Sequence, residues 1–295
     1  MNQLITFEAL YILDAIERRG SFSAAASELD KATSSLSYQI QKLEQDLDII
    51  IYDRSGHKAN LTDAGRLILD RGRMLLKAAE AMVNDARLLA NGWEVDITIA
   101  YDSIIPIENF FTLVNKLGEV SSTRVKLQEE VLAGCWESLQ QGRCDLLVCP
   151  RPETPPLDVK LEPLGSMSVT WVAANDHYVH KRSGDFNDDA RSHYRIIAIA
   201  DTAREQPALS VNVLEKQTRL TVSNFSSKVD ALISGLGIGT LPTQVAERYV
   251  SEGKLKKIAG GQDTAIEIVV AWKRNNIGEA KSWSIRHLTR NWVLK

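Results

Sequence analysis

The run ATSSLSYQIQKLEQ, residues 32–45, sets hydroxyls, amides, a phenol and an ammonium at helical spacing. Leu36, Ile40, Leu43 and Leu47 fall on one stripe of a helix and so face a core. Ser34, Tyr38, Gln41, Lys42 and Gln45 then face outward, Thr33 opens the helix, and Ser35 and Ser37 lie at the edge of that face. Amides and hydroxyls can pair with the donor and acceptor pattern of base edges, and Tyr38 can meet a phosphate or a thymine methyl. About ten residues on, Arg54, His57 and Lys58 gather within five positions, placing cations where a phosphate backbone would pass. Together these residues can read a nucleic acid. Read alone, two short Ala-rich helices are also common in cores, and a basic turn is also an ordinary solvated one.

Charge gives this reading no support. The chain of 295 residues has a net charge of −3, and residues 1–92 hold 11 Lys and Arg against 13 Asp and Glu. Binding must therefore rest on where charges lie, since the basic-domain signature is absent. No set of residues points to catalysis. The five histidines, His57, His177, His180, His193 and His287, form no HExxH, and no GxSxG occurs. GLGIG at 235–239 lacks the context of a phosphate loop and reads as a tight turn between helix and strand. Cys135, Cys144 and Cys149 show no CxxC and read as buried thiols, with a redox pair as the other reading. No metal ligand set, no cofactor and no catalytic residue is expected. No apolar run reaches the roughly 18 residues that span a bilayer, and the first residues lack the pattern of a secretory signal, so a cytoplasmic protein is expected.

The elements that must position these side chains fall into three zones. Residues 1–61 read as short amphipathic helices followed by a β-hairpin wing. The first helix ends at Gly20, and Asp30-Lys31 forms the turn between the second and third. Residues 62–91 read as one helix about 43 Å long. Within it Ile68, Leu75, Met82 and Leu89 recur every seven residues, and so do Gly65, Gly72, Ala79 and Ala86. The two rows make a heptad seam of large and small positions, expected to pair two copies of the chain. Glycine inside a helix costs about 1 kcal/mol against alanine, so Gly65 and Gly72 need a packing reason, assigned here to the approach of a partner helix. The other reading is that this helix packs on its own domain.

Residues 92–295 alternate strand and helix patterns. Strands are expected at 95–101, 124–131, 145–149, 168–174, 194–200, 219–223, 237–241 and 265–272. Such alternation predicts parallel sheets flanked by helices. The expected split is into lobe I, about 92–164 and 267–295, and lobe II, about 165–266.

The stretch from Phe22 to Arg66 resembles the winged helix-turn-helix of LysR-type transcriptional regulators. It carries paired alanines, Leu29, Ser37, Ile-x-x-Leu-Glu at Ile40 to Glu44, Tyr-x-Arg at Tyr52 to Arg54 and Leu-Thr-x-Ala-Gly at Leu61 to Gly65. The long helix and the two α/β lobes, which resemble periplasmic binding proteins, extend the likeness to essentially the whole chain. Two positions depart from the pattern. Thr33-Ser34 stand where Gln-Pro is common, so these hydroxyls are expected to cap the helix, and Tyr38 stands where arginine is frequent. The family's contacts carry over to Ser35, Ser37, Lys42 and Arg54.

The resemblance implies an effector pocket between the lobes. In open α/β sheets ligands lie beyond the carboxyl ends of strands. The candidates there are Tyr101, Asp102 and Ser103, Leu132, Thr202 and Arg204, and Asn224 and Phe225. Because Asp102 would repel an anion, a neutral, hydroxylated or aromatic small molecule is expected. The whole reads as a sequence-specific DNA-binding regulator. Its expected partners are a dyad-symmetric duplex, a small-molecule effector, RNA polymerase and other copies of itself, as a dimer and then a tetramer. The alternative is a repressor or nucleoid-type protein whose effector lobe senses nothing.

Overall fold

The computed structural model describes residues 5–53, 60–274 and 277–293. The chain divides into two compact units, Met1–Arg87 and Leu88–Lys295. No helix among the described residues is long and apolar enough to cross a membrane.

The first unit opens with α1, Phe7–Arg19, which begins where Thr6 Oγ1 accepts the Ala9 N–H and stops at Gly20 with φ 72°. Ser21 caps α2, Phe22–Glu28, in the same way through Ala24. The turn that follows puts Asp30 at φ 50°, a left-handed position that Asp tolerates better than most residues. Next comes α3, Thr33–Leu47. Leu36, Ile40 and Leu43 are buried against Leu13 and Ile16 of α1 and Ala25 and Ala26 of α2, as their spacing predicts. The expected caps at its start do not form. Ala32 is the capping residue and no side chain bonds the first turn, because Thr33 and Ser34 lie inside the helix, past the position from which a hydroxyl reaches back.

Two short strands follow, β1 (Tyr52–Asp53) and β2 (Asn60–Leu61), paired antiparallel. Glu44 Oε1 accepts the N–H groups of both Ile51 and Tyr52 at 2.8 and 3.0 Å, so the last turns of α3 hold the first strand in place. Then α4 runs from Asp63 to Ala90.

In the second unit β3 (Asp96–Asp102), α5 (Phe111–Val120), β4 (Arg124–Glu130), α6 (Ala133–Gln140) and β5 (Leu146–Pro150) come first. Then follow β6 (Val159–Ala174), α7 (Asp188–Ser192), β7 (Ile196–Ile199), β8 (Arg219–Val222), α8 (Phe225–Ile233) and β9 (Gly239–Pro242). The chain closes with α9 (Thr243–Ser251), β10 (Leu255–Lys257), β11 (Thr264–Lys273) and α10 (Glu279–Asn291). The main sheet has the order β10-β6-β11-β5-β3-β4, with β9 also on β6.

Among the described residues β4-β3-β5 and β7-β8 pair parallel, as does the single bridge Ile196–Ile238, whereas β6, β9, β10 and β11 pair antiparallel. The expectation of parallel sheets thus holds for β4-β3-β5 and β7-β8 and is corrected for the rest. A long ribbon, β6 with β11, carries the chain out of the first lobe and back, and a return of this kind is antiparallel by construction. At its middle the register shifts at Ile268/Val269, opposite Pro163 and Gly165.

Buried residues alternate between the two faces of the first-lobe strands. Ile97, Ile99, Val148 and Val270 meet Phe110, Leu113 and Leu117 of the α5 segment and Ile285 and Leu288 of α10. Ala100, Leu147, Val269 and Ala271 meet Cys135 and Leu139 of α6. Burial on both faces is why these strands read as unbroken apolar runs. In the second lobe Trp171 and Ala173 face one cluster while Val172 faces another.

Candidate functional site

On α3, Thr33, Ser34, Ser35, Gln41 and Lys42 are exposed, Tyr38 is 63% exposed, and Ser37 is half-buried. They form one continuous outward face, opposite Leu36, Ile40 and Leu43. Nearby cations are already engaged within the unit. Arg18 and Arg19 pair with Glu28, and Lys31 pairs with Glu8. Lys42 makes no ion pair among the described residues, which leaves its charge available on that face. Arg54, His57 and Lys58 lie outside the described residues.

The long helix α4 separates the two heptad rows differently from the sequence expectation. Gly65 and Gly72 are buried in their own unit with Leu69 and Leu76. A Cβ on Gly65 would stand 2.3 Å from the Ile51 carbonyl oxygen, and one on Gly72 2.7 Å from Leu10 Cδ2. Their smallness thus serves the contact with the wing base and α1, and the assignment of these two glycines to a partner helix is corrected. Ile68 is also half-buried against that core. Leu75, Met82 and Leu89 are instead 54%, 67% and 64% exposed. Ala86 is exposed beside them and Ala79 is half-buried. The packing reason that glycine requires is internal, and the apolar side chains left exposed on α4 are Leu75, Met82 and Leu89 of the large row together with Leu67, Met74 and Val83 outside it.

In the second unit three of the expected pocket residues, Asp102, Thr202 and Arg204, lie against α6, whereas Tyr101, Asn224 and Phe225 do other work. Tyr101 is buried with its ring 5.2 Å from Phe110, so it serves the core and not a ligand. Asp102 is 5% exposed; its Oδ1 accepts the Ile104 N–H at 3.1 Å and its Oδ2 lies 3.4 Å from the Cys135 thiol. Burial raises the Asp102 carboxyl above the ordinary carboxylate range. Its carboxylate is spent inside its own lobe, which removes the ground for expecting it to repel an anion. Nor does it cap the turn near Pro106, where no side chain forms a cap bond. Ser103 is buried, and among the described residues its hydroxyl makes no hydrogen bond. Leu132 sits at φ 52°, ψ −119°, a strained conformation for a residue with a Cβ.

Thr202 and Arg204 are not free donors. The Thr202 hydroxyl accepts the Val131 N–H at 2.9 Å and donates to the Glu130 carboxylate. Arg204 gives its backbone N–H to Glu137 and turns its side chain to solvent. Asn224 caps α8 by accepting the Ser227 N–H at 2.8 Å, and Phe225 is half-buried against the second-lobe core.

Asp201, which the sequence places only at a strand end, and Glu137 and Arg143, which sequence reasoning missed, organise this region. Asp201 accepts the N–H groups of Ala133 and Gly134 at 3.2 and 3.0 Å, capping α6 from a strand end far along the chain. It also takes those of Ala203 and Leu209 at 2.8 and 2.7 Å. Glu137, buried on α6, accepts the N–H groups of Arg204, Glu205 and Gln206, which holds its carboxyl below the ordinary range. Arg143 bridges Glu130 and Glu137 at 3.2 and 3.0 Å. The result is a clasp between α6 of the first lobe and residues 201–209 of the second. Sequence reasoning also missed Lys228 on α8, which is half-buried with its stem near Gly239 of β9. No short-range pattern marks the clasp, since the bonds that join α6 to residues 201–206 span 67–69 residues of chain. The three cysteines are buried and each thiol is pushed up by burial, Cys144 to about 11, as inert thiols are.

A helical head with an outward-facing third helix, joined to an α/β unit of two lobes, defines a ligand-sensing DNA-binding protein. Comparison with known proteins gives the family. Residues 7–66 match the model for the bacterial regulatory helix-turn-helix protein of the lysR family, and residues 119–292 match the LysR substrate binding domain. The HTH-type transcriptional regulator YhaJ of Escherichia coli is 44% identical over 290 residues, covering 98% of this chain and 97% of that protein. YeeY of Escherichia coli, an uncharacterized HTH-type regulator, is 35% identical over 281 residues, covering 94% and 90%. Among solved structures, an H2O2-bound OxyR variant of Corynebacterium glutamicum aligns with a TM-score of 0.56 at 18% identity, covering 97% of this chain and 93% of that one. Full-length LysG of the same organism aligns with a TM-score of 0.52 at 19% identity, covering 96% of each. The chain belongs to the LysR family of helix-turn-helix transcriptional regulators. Its head is a DNA-binding domain and its second unit an effector-binding domain.

Proposed function

We propose that α3 enters the major groove with Ser34, Ser35, Tyr38, Gln41 and Lys42 toward the bases and phosphates, while Thr33 and Ser37 flank the contact. The observation that carries this reading is the division of α3 into a buried side and an outward side with no internal partner for Lys42. Arg54, His57 and Lys58 grip the adjoining backbone. Two copies pair through the exposed row Leu75, Met82 and Leu89 of antiparallel α4 helices, with Ala79 and Ala86 beside it, and present two heads to a dyad-symmetric site. Two dimers make the working tetramer. A small molecule bound near Ser103, Leu132 and Phe225 shifts the balance of lobe arrangements, and with it the DNA bend and the contact with RNA polymerase. The protein acts in the cytoplasm and carries out no catalysis of its own.

The test is a genomic footprint of the wild-type protein beside the Tyr38→Ala variant. Sites with two-fold symmetry that change base preference at fixed positions in the variant support the reading. Identical preferences in both proteins refute the role of α3.

A further inference from the structure

The first turn of α5 and the last turns of α10, both in the first lobe, frame a cavity of about 250 Å³. None of the residues expected of the inter-lobe pocket lines it. Leu113 and Leu288, both buried, and the half-buried ring of Trp292 form its apolar wall. Trp292 is held there by an edge contact with Phe110, ring centres 5.4 Å apart. Thr112, His287 and Asn291 form the polar wall, and among the described residues no Asp, Glu, Lys or Arg lines the cavity. The imidazole is fixed from two sides. Trp283 stacks on it with ring centres 5.0 Å and planes 14° apart, and the Asn291 amide nitrogen lies 3.4 Å from Nδ1. That nitrogen can only donate, so Nδ1 accepts and the ring proton sits on Nε2. Burial, with Lys116 nearby, lowers the His287 pKa below its ordinary value, so the ring is neutral at pH 7. Among the described residues neither His287 Nε2 nor the Thr112 hydroxyl makes a hydrogen bond, and the indole N–H of Trp292 is buried without one.

Size and chemistry of the walls narrow what can enter. A cavity of about 150 Å³ holds benzene, and pockets for drug-sized molecules begin at about 300 Å³. We propose that this cavity is a second ligand site, built within the first lobe, for an uncharged planar molecule of one or two fused rings bearing a carbonyl. Its ring lies against Leu113, Leu288 and Trp292, and its carbonyl accepts from His287 Nε2–H and the Thr112 hydroxyl. Ions are excluded, because the wall offers no opposite charge to offset their lost hydration. Since α5 and α10 pack on the same core, a ligand between them fastens the first helix of the lobe to the last. The site owes nothing to the region between the lobes, and either reading can fail without the other.

The experiment is a thermal-shift titration of the full-length protein with 2-quinolone and benzamide, uncharged carbonyl compounds of two rings and one. Three controls each break one requirement: quinoline lacks the carbonyl, quinoline-2-carboxylate is charged, and acridone has three fused rings. The expected result is a raised melting temperature with 2-quinolone or benzamide at about 1 mM, an ordinary affinity for so small a molecule. The controls should act more weakly or not at all. Thr112→Trp fills the cavity from an exposed position and should abolish the response. His287→Phe keeps a ring against Trp283 but has no N–H, and should weaken binding about tenfold, as for loss of one neutral hydrogen bond. Ser103→Trp, in the inter-lobe region, should bind the probes as wild type does. No response to either probe overturns the inference, and so does a charged control that binds as well as they do. Binding kept in Thr112→Trp overturns the site, and its loss in Ser103→Trp would then move the ligand between the lobes. Affinity unchanged in His287→Phe overturns the carbonyl assignment.

Discussion

Two glycine-to-alanine substitutions in helices of the second unit should act in opposite directions. At Gly134, in the first turn of α6, the new Cβ would stand 2.0 Å from Thr202 Oγ1, 2.7 Å from the Thr202 carbonyl carbon and 2.8 Å from the Ala203 nitrogen. Backbone cannot swing aside as a side-chain tip can, so residues 202–203 must retreat by more than about 1 Å. Overpacking of this kind costs about 1–3 kcal/mol. The retreat also stretches the two hydrogen bonds from Ala133 and Gly134 to Asp201, each worth about 1.5–3 kcal/mol as a bond to a charged group. Water recovers part of that, and the helix gains up to about 1 kcal/mol from alanine. The net loss is about 2–4 kcal/mol, or roughly 5–15 °C in melting temperature for a unit of this size.

At Gly118, in α5, a Cβ meets nothing within 4 Å. Alanine there only removes freedom from the unfolded chain and should stabilise by about 0.5–1 kcal/mol. Circular dichroism melts of the two full-length variants under one set of conditions supply the comparison. A Gly134→Ala protein that melts at or above the wild-type temperature refutes the claim that α6 is fastened to residues 201–203.

Three further outcomes are expected. Met82→Asp puts a carboxylate into the exposed row of α4 and should lower the mass of the wild-type assembly by at least half by light scattering at micromolar concentration; an unchanged mass refutes the seam. Lys42→Ala should weaken binding to all DNA sequences alike and reduce the slope of log affinity against log salt by about one, and an unchanged slope removes Lys42 from the phosphate contacts. Asp102→Asn tests burial of that carboxyl. Its folded value is raised, so the wild-type protein is favoured below the ordinary carboxylate range and loses that advantage as pH climbs through the raised value. The variant should therefore gain stability relative to wild type across that interval and hold the gain above it. Parallel denaturation curves with a pH-independent difference would contradict it.

The head was legible because its signals are local. The stripe of Leu36, Ile40 and Leu43 follows from helical spacing, and Asp30 marks the turn by its tolerance of positive φ. The family, the class of fold and the regulatory function follow from such offsets. The first half of β6 was not legible: the sequence marks a strand only from 168, Lys160, Glu162, Pro163 and Gly165 carry no strand pattern, and pairing with β11 makes them a strand. For the same reason β10, three residues long, left no pattern. The glycines of α4 show the limit most clearly. A heptad row states that a helix needs small residues on one face, but not whether the neighbour is α1 of the same chain or a helix of another. Glu137 and Arg143 were invisible, and Asp201 was seen only as a strand end, because their meaning depends on partners brought close only by the completed sheet.

The start of α4 carries a consequence for how the heads can move. The Thr62 N–H and hydroxyl both bond carbonyls at the wing base, Ile51 and Ile50, while Gly65, Leu69, Gly72 and Leu76 seat the next four turns on the head. A helix pinned at five successive points cannot pivot at its root. Head and helix therefore behave as a single lever arm as far as Leu76. If two copies bind DNA as proposed, any adjustment in the distance between their α3 helices is generated further along the arm, where side chains are exposed, and reaches the DNA as a rotation of the whole head.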